Sequence, residues 1–326
     1  MQILITGGAG LLGSRLAAAL LQRNTVADAR GIPQRISRIT LLDVIAAKGF
    51  HDPRIHVVAG DISNPDVLRA EITPDTQSIF HLAAIVSGEA EANFDLGMRI
   101  NLDATRLILE RARHNGNCPR IVFTSSVAAF GGALPTQVLD TTPTTPQSSY
   151  GTQKVMGELL ISDYSRKGFI DGRALRMPTV CVRPGAPNKA ASSFASGIIR
   201  EPLNGIEAVC PVAPGTALWL ASPATAIANL IHGHDVDSQL LGASRALNLP
   251  GLSTTAGEMA QALERAAGTA AAQRIRWQID PAIERIVNSW PGDFLTTRAN
   301  AMGFTRDASF DAIVQGYIDE LKAGGA

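Results

Sequence analysis

Short, nearly unbroken apolar runs punctuate the first half of the chain: QILIT (2–6), RITLLDV (38–44), IHVVAGDI (55–62), SIFHLAA (78–84), RIVFTSS (120–126) and GRALRMPTVCVRPG (172–185). Continuous rather than alternating apolar runs describe strands buried on both faces. Helical periodicity fills the gaps, over LLGSRLAAALLQR (11–23), over 91–115 with Met98, Leu102, Ile108 and Leu109 on its apolar face, and over 150–168, which Gly168 ends. Strands alternating with helices predict an α/β fold, a doubly wound parallel sheet of the Rossmann type. Past residue 185 the pattern changes. Residues 186–216 are rich in Pro, Gly, Ala and Ser and read as loops with short helices. Helices are expected at 223–234, 254–268 and 307–323, the last with Asp307 as its N-cap. The alanine-rich stretch 266–272 reads as helix or helix end. The expected organisation is a dinucleotide-binding domain over 1–178, with a return at 217–243. A smaller α/β C-terminal substrate-binding domain takes 179–216 and 244–326.

Composition narrows the partners. The 326 residues carry 29 Lys+Arg against 29 Asp+Glu. With no net charge and no basic stripe, no nucleic-acid partner is expected. Cys118, Cys181 and Cys210 are odd in number and far apart, which fits neither a zinc site nor a disulfide framework. They are expected to be reduced core thiols of a cytoplasmic protein, with no metal. No run of about 18 apolar residues offers a membrane span. MQILITGGAG enters a strand at once, so no signal peptide is expected.

The first chemistry-bearing motif is TGGAGLLG (6–13), whose Gly7, Gly10 and Gly13 lie directly between a strand and a helix. A tight turn there lets backbone approach a pyrophosphate, and the helix N-terminus offers free N–H groups. Gly7, Gly10, Leu11 and Leu12 are therefore candidates for a dinucleotide. Asp43, ending the second strand, is placed to bind the adenosine ribose and favours NAD over NADP. It lies 30 positions past Gly13, more than the usual spacing of about 20, and NTVADARGIPQR (24–35) reads as a loop extension that absorbs the excess. Asp61 and Ile62 end the third strand, where they border an adenine or where Asp61 caps the following turn. Leu82, Ala83 and Ala84 end the fourth, and the small alanines admit a cofactor. His81 reads as a core histidine satisfied by backbone.

Tyr150 and Lys154 are four apart and share a helix face. A free phenol, with a pKa of about 10, is a weak base at neutral pH, and a nearby ammonium favours its ionised form. Ser125 and Ser126 end the preceding strand, where a hydroxyl can orient the same oxygen. Taken in order, TGGAGLLG, FHLAA, FTSS and YGTQK resemble the extended short-chain dehydrogenase/reductase superfamily (the NAD-dependent epimerase/dehydratase family) over nearly the whole chain. The resemblance implies NAD as cofactor and a triad of Ser126, Tyr150 and Lys154, with Ser126 chosen over Ser125 by its offset from Phe130-Gly131. It also implies a supporting role for Asn101 toward the lysine through a water, Ser125 and Pro178 among the cofactor contacts, and Thr179 near the nicotinamide amide. Finally it implies a homodimer formed through a four-helix bundle of the helices near 91–115 and 150–168.

Many members act on nucleotide-diphosphate sugars and carry an arginine for the diphosphate in a later Arg-Asp-Phe-Val-His-Val-Asp-Asp-like motif. The matching region here, PGTALWLASPATAIANLI (214–231), lacks it, and residues 208–243 contain no Arg or Lys. A diphosphate carries about two negative charges and is normally met by such residues, so a smaller substrate is expected. HLAAIVSGEAEANFDLGMRIN, TTPQSSYGTQK, RMPTVCVRPGAPNKAASSFASGIIREP and LWLASP resemble a branch of the superfamily, the D-erythronate dehydrogenases, close to the uronate-dehydrogenase-like branch. That implies NAD-dependent oxidation of the C2 hydroxyl of a four-carbon sugar acid, D-erythronate to 2-dehydro-D-erythronate. A nucleotide-sugar epimerase/dehydratase and a uronate dehydrogenase stand as alternatives. For such a substrate Ser87 and Gly88 would border the site, and Ser192 and Ser193 would meet hydroxyls or the carboxylate. Arg183 is the nearest cation, either to that carboxylate or as a structural arginine, and Trp219 reads as a packing wall.

Overall fold

The computed structural model describes residues 1–187 and 189–324. Its main sheet runs through β1 (Gln2–Thr6), β2 (Arg38–Asp43), β3 (Ile55–Ala59), β4 (Thr76–His81), β5 (Arg120–Ser126), β6 (Asp171–Met177) and β7 (Ala246–Asn248). The spatial order is β7-β6-β5-β4-β1-β2-β3, and every neighbouring pair is parallel. Alternation along the strands serves two cores. Ile3, Ile5, Ile39, Leu41, Phe80, Val122 and Leu175 face the helices Leu11–Arg23 and Pro223–Asp235. Leu4, Leu42, Ile79, Ile121, Phe123 and Ala174 face Ala104–Asn115 and Ser149–Arg166. Both faces are covered, so the strands read as continuous apolar runs. Strand order reverses direction between β1 and β4, which opens a crevice at their C-terminal ends.

Several elements depart from their expected form. The helix over 91–115 is broken into Phe94–Gly97, a π-helical turn Met98–Asp103, and Ala104–Asn115. The run 172–185 ends as a sheet strand at Met177, because Pro178 has no N–H to donate. Thr179–Val180 pairs instead with Ala217–Ala221, which also pairs antiparallel with Leu252–Thr255. The extension at 24–35 is an antiparallel hairpin of Thr25–Ala27 and Pro33–Arg35, and it accounts for the long spacing to Asp43. The return to the main sheet consists of the helix Pro223–Asp235 and of β7, which lies just past 243. Asp307 does not cap the last helix, Phe310–Lys322. Ser309 does, accepting from the Ala312 N–H. The Asp307 carboxylate accepts from Ser222 N–H at 2.8 Å, Ser222 Oγ at 2.6 Å and Thr225 Oγ1 at 2.8 Å, at the start of Pro223–Asp235. Cys181 and Cys210 are buried in a separate core with the helices Ser193–Leu203, Ala256–Ala267 and Phe310–Lys322. Cys118 is exposed rather than in a core, and all three are free.

Two buried histidines pin the main sheet. His81 is held by hydroxyls rather than by backbone, with Thr6 Oγ1 2.7 Å from Nδ1 and Thr105 Oγ1 2.9 Å from Nε2. His234 meets Ser78 Oγ at 2.7 Å and Asp235 Oδ1 at 2.8 Å. Burial pushes His81 down to about 3, helped by the Lys154 charge. Burial also pushes His234 down to about 4 against the opposing pull of Asp235. In the unfolded chain both rings titrate near 6.5, so below that pH the unfolded state binds more protons than the folded one. Stability is then lost as pH falls from about 6.5 toward about 4. Urea unfolding is expected to require about 2–3 kcal/mol less from these two rings at about pH 5.5 than at about pH 7.5. Equal or greater stability at the lower pH would overturn this.

Candidate active site

The first crossover builds the phosphate end of a cleft. Gly7 adopts φ +72°, and a Cβ on Gly13 would sit 2.1 Å from the Gly7 carbonyl oxygen, so both positions need glycine. The turn closes with Gly10 N–H donating to Gly7 C=O at 3.1 Å. The helix Leu11–Arg23 then starts with no side-chain cap and no acid in its first turn. Its first N–H groups therefore face the cleft unpaired within the helix, which suits an anionic pyrophosphate.

At the next strand end Asp43 accepts from the Ala9 N–H at 3.1 Å, which fixes one oxygen against the glycine turn. Asp61 turns onto its own loop, accepting from Ser63 N–H and Ser63 Oγ at 2.8 Å each, with Arg99 3.5 Å away. It caps a turn and lines the cleft at once.

Tyr150 lies in the first turn of Ser149–Arg166, which Ser148 caps by accepting from Gly151 N–H. Lys154 is one turn on and 2% exposed. Its Nζ lies 4.7 Å from the Phe123 ring centre and 5.6 Å from that of Tyr150. The Ser126 hydroxyl hydrogen-bonds the Tyr150 phenol and accepts from Ala128 N–H at 3.1 Å. Burial raises Tyr150 to about 12, against the Ser126 hydrogen bond and the Arg183 charge. Burial lowers Lys154 to about 7, against the pull of Glu158. The cation bearing most directly on the phenol is thus Arg183, where the sequence pointed to Lys154.

One cleft of about 550 Å³ gathers nearly every nominated residue, from Gly7, Gly10, Leu11 and Leu12 through Leu82, Ala83 and Ala84 to Pro178, Thr179, Arg183 and Ser192. Ser125, Ser126, Tyr150 and Lys154 form its floor, and Asp43, Asp61 and Ile62 its far end. Three nominees lie outside it. Asn101 donates to Ile85 C=O at 3.0 Å and Gln153 Oε1 at 2.7 Å and accepts from Ile85 N–H at 2.8 Å. It fixes the chain leaving β4. Gly88 abuts the Lys189 carbonyl, and with Ser193 it lines a neighbouring cavity. Two others reach the cleft with their hydroxyls engaged. Ser125 donates to Glu158, and Ser87 accepts from Ala191 N–H at 3.2 Å, tying down the 189–192 segment.

Arg183 lines the cleft and is partly buried, and its guanidinium pairs with no acid among the described residues. Trp219 is a packing residue, its Nε1 donating to Leu249 C=O at 3.1 Å. Arg99 and Trp290 line the cleft without having been nominated. Arg99 comes from the π-helical turn and Trp290 from the C-terminal region, and neither belongs to a local motif.

A glycine turn at a helix N-terminus beside a cleft of this size fits a dinucleotide such as NAD. Over 320 residues the chain is 57% identical to a D-erythronate dehydrogenase of Cupriavidus necator, covering 98% of each chain. It is 48% identical to a D-erythronate dehydrogenase of Haemophilus influenzae, covering 98% of this chain and 99% of that one. A crystal structure described as a nucleoside-diphosphate-sugar epimerase from Agrobacterium tumefaciens superposes with a TM-score of 0.92 at 43% identity, covering 100% of this chain and 95% of that one. The family model for the NAD dependent epimerase/dehydratase family matches residues 3–219. With NAD as its cofactor, this chain belongs to that family.

Proposed function

We propose that the protein oxidises the C2 hydroxyl of a four-carbon sugar acid, D-erythronate, to the 2-oxo acid. NAD, held by the glycine turn and Asp43, supplies the hydride acceptor. Tyr150 takes the hydroxyl proton, Ser126 holds the hydroxyl oxygen, and Lys154 favours the ionised phenol. The observation that carries the reading is Arg183, a partly buried guanidinium without an acidic partner among the described residues, set in the cleft beside Tyr150. One such cation matches one carboxylate. The other cations lining the cleft are Lys154 and Arg99, and Arg99 stands by Asp61 at the adenosine end. With Lys154 serving the phenol, that leaves Arg183 as the one cation among the described residues to meet substrate there, too little charge for a diphosphate, which disfavours a nucleotide sugar despite the description of the Agrobacterium structure. Near identity in length and 57% identity to a D-erythronate dehydrogenase support the four-carbon acid over a uronate.

The three unpaired cysteines support a cytoplasmic setting. Phe94 and Leu159, 58% and 66% exposed beside the helices Ala104–Asn115 and on Ser149–Arg166, support a homodimer formed through a four-helix bundle.

Incubation with NAD⁺ and a panel of aldonic and uronic acids is expected to produce NADH with D-erythronate, and silence with every four-carbon acid sinks the assignment. Tyr150→Phe is expected to lower turnover at least about a hundredfold while calorimetry finds NAD binding nearly unchanged. Arg183→Gln is expected to raise KM for the acid by about tenfold or more with little effect on NAD affinity, and an unchanged KM would remove Arg183 from the carboxylate. Leu159→Arg is expected to give a monomer in analytical ultracentrifugation where the parent sediments as a dimer, and a dimeric variant places the interface elsewhere.

A further inference from the structure

Beneath the cleft floor lies a buried carboxylate that the proposed reaction does not use. Glu158 is 3% exposed, one turn past Lys154 on Ser149–Arg166. Arg176, on β6, grips both of its oxygens, Nε donating to Oε1 at 2.9 Å and Nη2 to Oε2 at 2.7 Å. Ser125, at the end of β5, donates its hydroxyl to Oε1. Arg176 is fixed in turn, its Nη1 donating to Asn248 Oδ1 on β7 at 3.1 Å and its guanidinium lying 4.9 Å from the Phe130 ring centre. Two adjacent strands thus meet on one carboxylate, and a third holds the arginine that grips it. A buried ion pair is a weak source of stability, since apolar side chains of similar volume often replace it without loss. Tyr150, Lys154 and Glu158 recur at intervals of four and fall along one face of the helix.

We infer that Glu158 is a positioning residue for proton transfer at Tyr150: its clamped carboxylate, buried one turn past Lys154 on the same helix face, is the fixed negative charge facing the lysine beneath the phenol. The inference rests on Tyr150 being the base. Lys154 is enclosed by the Phe123 and Tyr150 rings, which cannot solvate an ammonium well, so burial drives it toward the neutral amine. The opposing charge comes from Glu158. The other groups around the pair are His81 on β4, uncharged across the neutral range, Arg176 on β6, engaged by the carboxylate itself, and Arg183, which acts on Tyr150. The π-helical turn packed against this part of the helix contributes Asn101, without charge.

Without the carboxylate, Lys154 releases its proton at lower pH, the neutral amine no longer favours phenolate, and Tyr150 ionises at higher pH. Glu158→Gln is therefore expected to move the acidic limb of the kcat/KM profile upward by about one pH unit, lowering kcat/KM about tenfold near neutrality. KM for the acid should change by less than about twofold. A readout independent of turnover is the ultraviolet difference titration of the Tyr150 phenol without cofactor, taken against Tyr150→Phe. It should move in the same direction. Because Glu158→Gln leaves Arg176 unpaired, Glu158→Gln combined with Arg176→Gln provides a neutral pair, and a smaller shift of the same sign is expected there. Glu158→Asp, which keeps the charge, should restore the limb. An unmoved limb and phenol titration in a folded variant overturn the inference. So does failure of both glutamine variants to fold, which would assign Glu158 to the core alone. If the parent protein itself forms no NADH from D-erythronate, the proposed reaction fails, and the phenol titration still decides the role of Glu158.

Discussion

The burial of an acid and a base at the same point is the constraint around which the cleft is organised. Tyr150 and Lys154 are both drawn away from water in the cleft, and removal from water favours the neutral form of each. A phenol raised from 10 to about 12 costs about 3 kcal/mol more to ionise. An ammonium lowered to about 7 is only half charged near neutrality. Hydrogen bonds and charges must work against this burial. Ser126 and Arg183 act on the phenol, and Glu158 acts on the ammonium. Each comes from a different element, so the chemistry depends on the sheet holding those elements in register.

The parallel sheet meets that requirement because its C-terminal strand ends converge. β1 delivers the glycine turn, β2 Asp43, β4 the Leu82–Ala84 edge, β5 the two serines and β6 the path to Arg183. The strand ends stay fixed because each strand is locked by packing on both faces, with Phe80 and Val122 on one side and Phe123 and Ile121 on the other. Phe123 links scaffold and site directly, since its ring fills the core and also backs the Lys154 ammonium.

What could be read from the sequence is what short-range geometry determines. The glycine turn needs only neighbours in sequence, and the Tyr150–Lys154 spacing needs only a helix, so both were legible, as were the strands, whose apolar runs reflect burial on two faces. Side-chain partners far along the chain were not. Ser125 and Ser126 look equivalent in TSS, but alternation along β5 sends one hydroxyl down to Glu158 and the other up to Tyr150. Asn101 has the residue type and position for the lysine. The π-helical turn instead engages it with Ile85 and Gln153. Asp307 has cap chemistry next to a helix start, yet it instead anchors Ser222, the cap of a different helix more than 80 residues earlier. Trp290 joins the cleft from outside the 3–219 family match, with no local pattern to mark it.

Substrate size follows from how the second region is attached. The segment after β6 is drawn over the cleft by main-domain contacts, Ala191 N–H to Ser87 and Lys189 to Glu89 at 2.7 Å. That brings Ala190 and Ser192 into the lining of the same cleft as Tyr150 and Arg183. Under the proposed pairing of a carboxylate with Arg183, a short acid suits this part of the cleft better than a long one. The absence of Arg and Lys over residues 208–243 fits the same picture. That stretch supplies the Ala217–Ala221 strand and the Pro223–Asp235 helix, which build walls rather than charge. In the proposed reading, one guanidinium beside Tyr150 orients a small hydroxy acid. It would leave most of the charge of a nucleotide diphosphate unmatched in a closed space, where an unpaired charge is most costly.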